Sequence, residues 1–300
     1  MAFPRPVADA IARLAQRGPG PRLAEAVRFL DVPARTEPVT IPTRHGDIAA
    51  TVYAPDGGTA GRPVYLNFHG GGFVLRHPEQ DDGICRYLAA NAGVAVINVD
   101  YDVAPQLRFP GVVEQAYDVA VWAGSGERPW DGRRLGVGGS SAGGALAAGI
   151  ARLALELGAP AVAFQFLHYP PLDLSVPART KLAPGKERFL ARMAPVFDAA
   201  YCPQAPMRAD RLISPAGAAD TAPIAGIAPA LVVTAERDVL REEGARYAER
   251  LAAAGALVEH IDLADVGHGY NLLGAPREFV EPVYARIAAR LRAALDPLSG

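Results

Sequence analysis

Six short runs at 64–68, 94–99, 135–138, 161–167, 231–235 and 257–263 are apolar on both faces, and they alternate with helix-patterned segments near 80–91, 111–123, 142–157, 242–254 and 276–294. A strand with no polar face must be covered on both sides, and a helix between successive strands returns the chain to start the next one in the same direction. The alternation therefore predicts an α/β fold, a mostly parallel sheet flanked by helices. Residues 39–41 and 48–53 read as two further strands, joined through the turn formers of Arg44-His45-Gly46-Asp47, so the sheet opens antiparallel. Ahead of them, Val7/Ile11/Leu14 and Leu23/Val27/Leu30 make two helical stripes separated by Gly18-Pro19-Gly20-Pro21, which predicts two short amphipathic helices. Half of the 300 residues are hydrophobic, enough for a large core.

One interval breaks the pattern. About sixty residues rich in proline and alanine separate the strand ending near His168 from the one starting at Leu231, too many for an ordinary connection. Within it Phe189, Met193 and Phe197 are spaced four apart and share one helical face. That face either packs on the main body or belongs to a lid contributed jointly with the N-terminal helices.

The chemistry concentrates where strands end, because in open parallel sheets the loops leaving the carboxyl ends carry the reacting groups. The run Gly138-Gly139-Ser140-Ser141-Ala142-Gly143-Gly144 lies between an apolar strand and an alanine-rich helix. It fits a nucleophile elbow, in which small residues two before and two after the serine let the backbone turn sharply. Only Ser141 satisfies Gly-x-Ser-x-Gly, since centring on Ser140 would require glycine at Ala142. Alone, the pentapeptide is weak in a chain with 31 glycines.

Its partners strengthen it. His69-Gly70-Gly71-Gly72-Phe73 follows the strand at 64–68, and consecutive glycines let backbone N–H groups face a developing oxyanion. A serine hydroxyl needs a base and the base an orienting acid. Asp238 and His268 each follow a later strand, in the order Ser, Asp, His that this type of sheet uses. Glu236 competes for the acid role. His45, His77 and His260 read as solvated, His168 as packing or pocket lining, and His69 as ordering the glycine loop. No phosphate-binding Gly-Lys-Ser/Thr, no Gly-x-Gly-x-x-Gly opening a helix and no His-Glu-x-x-His are present, so neither a cofactor nor a metal is called for.

A net charge of −2 with scattered Lys and Arg gives no footprint for nucleic acid or an anionic membrane, and no apolar run reaches the length of a bilayer span. The opening Met1-Ala2-Phe3-Pro4-Arg5-Pro6 does not read as a secretory leader. With only Cys85 and Cys202, a reducing cytoplasm is the default and a disulfide the alternative.

Taken together, His69-Gly70-Gly71-Gly72-Phe73, Tyr101-Asp102-Val103-Ala104-Pro105, Gly139-Ser140-Ser141-Ala142-Gly143-Gly144, Tyr169-Pro170-Pro171-Leu172-Asp173, Asp238-Val239-Leu240-Arg241-Glu242-Glu243-Gly244 and His268-Gly269-Tyr270 resemble the successive motifs of the hormone-sensitive-lipase-like α/β hydrolases, the bacterial family IV esterases. The resemblance runs from about residue 40 to 290. It implies an α/β-hydrolase fold with a mostly parallel sheet of about eight strands as one catalytic domain over 1–300, and a helical cap built from about 1–38 and 173–211. It implies a triad of Ser141, Asp238 and His268, an oxyanion hole of Gly71, Gly72 and Ala142, and hydrolysis of short- to medium-chain esters by water without a cofactor. Amide, formamide or lactone cleavage stays open on the same machinery, as does a non-catalytic receptor, and homodimers occur among relatives. Three positions depart from the usual pattern: Ser140 stands where aspartate or threonine is common, Gln106 for glutamate after Ala-Pro, and Tyr270 for phenylalanine after His-Gly.

Overall fold

The alternating pattern folds as an eight-stranded sheet in a computed structural model that describes residues 4–182 and 188–295. In chain order the elements are α1 (Arg5–Ala15), β1 (Arg35–Ile41), β2 (Ile48–Ala54), β3 (Pro63–Phe68), α2 (Asp82–Ala92), β4 (Ala95–Asp100), α3 (Gly111–Ala123), β5 (Asp131–Ser140), α4 (Ala142–Leu157), β6 (Val162–His168), α5 (Arg188–Tyr201), β7 (Ala230–Ala235), α6 (Arg241–Ala253), β8 (Leu257–Leu263), α7 (Tyr270–Leu273) and α8 (Arg277–Leu295). The strand order is β1-β2-β4-β3-β5-β6-β7-β8. β2 runs antiparallel to both β1 and β4, and every later pairing is parallel. The α/β-hydrolase fold expected from the motifs is the fold observed.

Two apolar layers cover the sheet. On one face α3, α4 and α6 pack through residues such as Val112, Leu146 and Leu251. On the other, α2 and α8 pack through Leu88, Tyr284 and Leu291. β5 lies at the centre, and from Leu135 to its end every residue is buried, which sets its carboxyl end in the middle of the molecule. Cys85 and Cys202 are free, buried thiols in different clusters, so the disulfide alternative falls. Among the described residues no helix is long and apolar enough to cross a membrane.

The second N-terminal helix does not form. Only a single 3₁₀ turn, Glu25–Val27, occupies that stripe. Tertiary packing overrides the helical spacing: Phe29 takes φ +50° and sits fully buried, with its ring 5.1 Å from Tyr87 and 5.4 Å from Tyr284, while Leu30 is left exposed. β1 also begins at Arg35, before the apolar run at 39–41, because its polar first half pairs residue by residue with β2 at the sheet edge.

Among its described residues the long interval is tied down by polar contacts and contains no strand. The backbone N–H of Leu174 donates to Ser214 Oγ at 2.7 Å and that of Ala216 to the Leu172 carbonyl at 2.9 Å. The buried Asp220 accepts from Arg250 at 2.8 Å and lies 3.4 Å from the buried Arg152. Charges this deep persist only when paired.

Candidate active site

Ser141 is the single residue between β5 and α4, with φ +54° and ψ −118°. That backbone is strained for any L-residue, at a cost of about 1–3 kcal/mol. Two bonds hold it there: the Ser141 N–H donates to the His168 carbonyl at 2.8 Å, and the Ser141 carbonyl accepts from Ala145 at 3.1 Å. A Cβ at Gly143 would stand 1.7 Å from the Phe68 carbonyl oxygen, and one at Gly139 2.1 Å from the same atom. The end of β3 thus presses against both sides of the elbow, which is why Gly-x-Ser-x-Gly is required here.

The three motif residues from distant parts of the chain meet at this point. Ser141 Oγ lies 2.8 Å from His268 Nε2, and His268 Nδ1 lies 2.7 Å from Asp238 Oδ2. Asp238 is 1% exposed, and its other oxygen accepts the Leu240 N–H at 3.0 Å. The loops bearing the acid and the histidine are joined by the Glu236 N–H to the Leu263 carbonyl and the Arg237 N–H to the Val266 carbonyl, both at 2.9 Å. Glu236 braces the histidine loop by accepting the Asp265 N–H at 2.8 Å, while Asp238 is the carboxylate that meets the imidazole.

Gly71 and Gly72 take φ +127° and +61°, and the Gly71 carbonyl turns away to accept from Val74 and Leu75. Ala142 is the first residue of α4, so its N–H has no acceptor within the helix. His69 is fully buried, stacks on Tyr101 at 4.3 Å, and its Nδ1 is 2.6 Å from the Gly70 carbonyl. It orders the loop and does not reach His268's position in the chain of contacts.

Burial lowers the His69 pKa to about 4. A folded-state value below the unfolded one means that the neutral ring contributes stability above pH 6.5, and this is lost as pH falls through the window from 6.5 to about 4. His69→Gln keeps a donor for Gly70 and does not titrate. Between pH 7.5 and 4.5 its stability should gain about 2–3 kcal/mol on the native chain, read by denaturant unfolding at both pH values. An unchanged difference would show that His69 does not stay neutral in the fold.

Beside Ser141 lies a cavity of about 50 Å³ whose walls include Gly72, Phe73, Leu174, Phe197 and Leu240. Phe197 of α5 lies directly over Gly72, since an added Cβ there would stand 2.4 Å from the ring. α5 is fixed by Tyr201, stacked on Phe73 at 4.0 Å, and by α1, whose Ala8 packs with Val196 and Ala199. Met193 is half-buried on the same helix, and the side chain of Phe189 lies outside the described residues. Gln106 pairs with Gln16, which caps the end of α1, at 2.8 Å, and Arg108 grips both oxygens of Asp9 at 2.7 Å, so the N-terminal helix is held to the body as well. Lys181 bonds Glu243 of α6, whose carboxyl burial pushes up to about 7. A larger cavity of about 730 Å³ beside α2, between Leu23, Tyr53 and Arg86, is not lined by Ser141.

Two neighbours of the site carry no reactive signature in sequence. Tyr169 has φ +38° and sets its ring 4.9 Å from that of His268. His168 is fully buried and contacts both Ser140 and Tyr270. Their place was the available signal: His168 ends β6, and Tyr169 opens the Tyr-Pro-Pro motif that follows it.

Comparison with known proteins places the fold in a family. Residues 65–272 match the model of a family described as alpha/beta hydrolase fold. Carboxylesterase NlhH of Mycobacterium tuberculosis is 36% identical over 229 residues, covering 75% of this chain and 71% of that protein. Esterase LipI of the same species is 36% identical over 243 residues, with the same coverage. The solved structure of a Pyrobaculum calidifontis esterase superposes with a TM-score of 0.79 at 32% identity, covering 96% of this chain and 92% of that one. The chain belongs to the α/β hydrolases, in the hormone-sensitive-lipase-like branch that its ordered motifs resemble.

Proposed function

We propose that the protein is a serine carboxylesterase acting on short- to medium-chain acyl esters, with Ser141, His268 and Asp238 as its triad. The observation that carries this is the continuous contact from Ser141 Oγ through the His268 ring to Asp238, at 2.8 and 2.7 Å. Ser141 attacks the ester carbonyl as His268 Nε2 takes its proton. Asp238 holds the ring by accepting the Nδ1–H and stabilises the imidazolium. The N–H groups of Gly71, Gly72 and Ala142 receive the oxyanion in a site where backbone donors need no reorganisation. His268 returns the proton to the leaving alcohol, and water repeats the sequence on the acyl-enzyme. Residues of about 1–38 and 173–211 act as the cap, those from Arg35 on already pairing as β1. Every group comes from one chain, so the reading needs no second copy. Two buried free thiols suit a cytoplasmic setting.

Chain-length preference follows from volume. The cavity beside Ser141 is only about 50 Å³ and Phe197 forms part of its wall, so a long acyl chain requires Phe197 to move. Across p-nitrophenyl esters, kcat/KM should be highest from acetate to butyrate and fall toward decanoate, with the matching anilides cleaved far more slowly. Phe197→Ala should shift the preference toward octanoate by about 10-fold, in line with a few buried methylenes. A panel in which anilides outrun esters would overturn the ester reading, and an unchanged length profile in Phe197→Ala would remove Phe197 from the acyl pocket.

A further inference from the structure

β6 ends on a residue that touches both halves of the reacting pair. His168 pairs in register with Ser140 across the sheet, and its carbonyl accepts the Ser141 N–H at 2.8 Å. Its ring then bridges two hydroxyls, with Nδ1 3.1 Å from Ser140 Oγ and Nε2 3.0 Å from the Tyr270 hydroxyl. Ser140 precedes the nucleophile, and Tyr270 follows the base by two residues at the start of the four-residue α7. Ser140, His168 and Tyr270 are 2%, 0% and 5% exposed, so water is not available to replace a lost contact.

We infer that Ser140, His168 and Tyr270 form a buried strut that sets the distance between Ser141 and His268, with His168 as its positioning residue. The inference rests on reading Ser141 and His268 as the reacting pair. The covalent and hydrogen-bonded path Ser141, Ser140, His168, Tyr270, His268 closes into a ring through the 2.8 Å contact between Oγ and Nε2. A ring of this kind resists drift of either loop, and about 1 Å of misplacement is enough to cost 100-fold in rate. Burial and the neighbouring His268 hold the His168 pKa down to about 3, so the strut is a neutral imidazole. A neutral ring has one donor and one acceptor, so one hydroxyl donates to it and the other accepts from it. Ser140 and Tyr270 are thereby linked in hydrogen-bond direction as well as in position. Tyr169 supports the same arrangement, its hydroxyl donating to Asn271 at 2.6 Å and Asn271 donating to Tyr284 at 2.9 Å.

The test compares Ser140→Ala, Tyr270→Phe, their double variant, His168→Gln, His168→Leu and Ser141→Ala. Each is assayed for kcat and KM on p-nitrophenyl acetate, for the rate of fluorophosphonate labelling at Ser141, and for thermal midpoint. Each strut single variant should lower kcat and the labelling rate about three- to ten-fold with KM unchanged. The double variant should fall no further than the slower single, because both hydroxyls act through one ring. His168→Gln, which keeps a donor and an acceptor, should recover part of what His168→Leu loses. Multiplicative effects in the double variant, or a lowered thermal midpoint with kcat and labelling unchanged per folded molecule, overturn the inference. Labelling that persists in Ser141→Ala overturns the catalytic reading and this one with it. Labelling lost there but unaltered in all the strut variants overturns the strut alone.

Discussion

Ser141→Ala is expected to lower ester hydrolysis by about 10⁵- to 10⁶-fold, the scale on which removal of a triad serine acts, while the fold survives. The substitution deletes one oxygen and keeps Cβ, so no cavity of consequence opens. Ser141 holds a strained backbone whose support, the bond to the His168 carbonyl, belongs to the main chain and is unaffected. Thermal stability should therefore stay within about 1 kcal/mol of the parent. His268→Ala should cost about as much as Ser141→Ala, and the two together no more, because neither acts without the other. Ser140→Ala should keep hydrolysis within about 10-fold, as befits a residue whose hydroxyl meets the His168 ring and not the His268 ring. The check is initial-rate kinetics on p-nitrophenyl butyrate with fluorophosphonate labelling alongside. Labelling of the native chain at another residue, or a Ser140→Ala variant that is dead while Ser141→Ala is active, would show the elbow to be centred wrongly. A native chain that takes no label at all would favour a ligand receptor over an enzyme.

The frame around that serine was legible because it depends on periodicity. Runs apolar on both faces announced a parallel sheet, and each residue of the proposed triad lies beyond one of them: Ser141 after β5, Asp238 after β7, His268 after β8. What periodicity could not carry is contact between side chains remote in sequence. Ser140 and Tyr270 stand out as separate departures from the usual motifs, and nothing in their spacing says that both meet His168, 28 and 102 residues away from it. Leu23, Val27 and Leu30 have helical spacing, yet the buried ring of Phe29 between Tyr87 and Tyr284 decides the local backbone instead. A cluster of aromatic rings outweighs the weak propensity of a three-residue stripe. Likewise, the 169–229 interval gave no strand signal, and its order comes from Asp220, Ser214 and the carbonyls they bracket, which are scattered polar residues without a period.

Gly143→Ala should be the most damaging single methyl addition among the described glycines. By helix propensity alone the change is favourable, since Gly143 is the second residue of α4 and alanine is preferred there by about 1 kcal/mol. Geometry points the other way and by a larger margin. The added Cβ would lie 1.7 Å from the Phe68 carbonyl oxygen, 2.4 Å from its carbon and 2.9 Å from the His69 carbonyl oxygen. All three are backbone atoms of β3 and the loop that follows, with no side chain able to swing aside. Relief requires moving either the start of α4 or the end of β3, and both are fixed by the parallel pairing of β3 with β5. A loss of about 4 kcal/mol or more is expected, measured by denaturant unfolding, with the midpoint shifted and not the slope. Gly126→Ala is the control: nothing lies within 4 Å of its added methyl, and its stability should stay within about 0.5 kcal/mol. Any Gly143→Ala protein that folds should still be a poor esterase, because the same displacement separates Ala142 N–H from Gly71 and Gly72 and so opens the proposed oxyanion hole. A Gly143→Ala variant as stable and as active as the native chain would mean that β3 does not approach the elbow this closely.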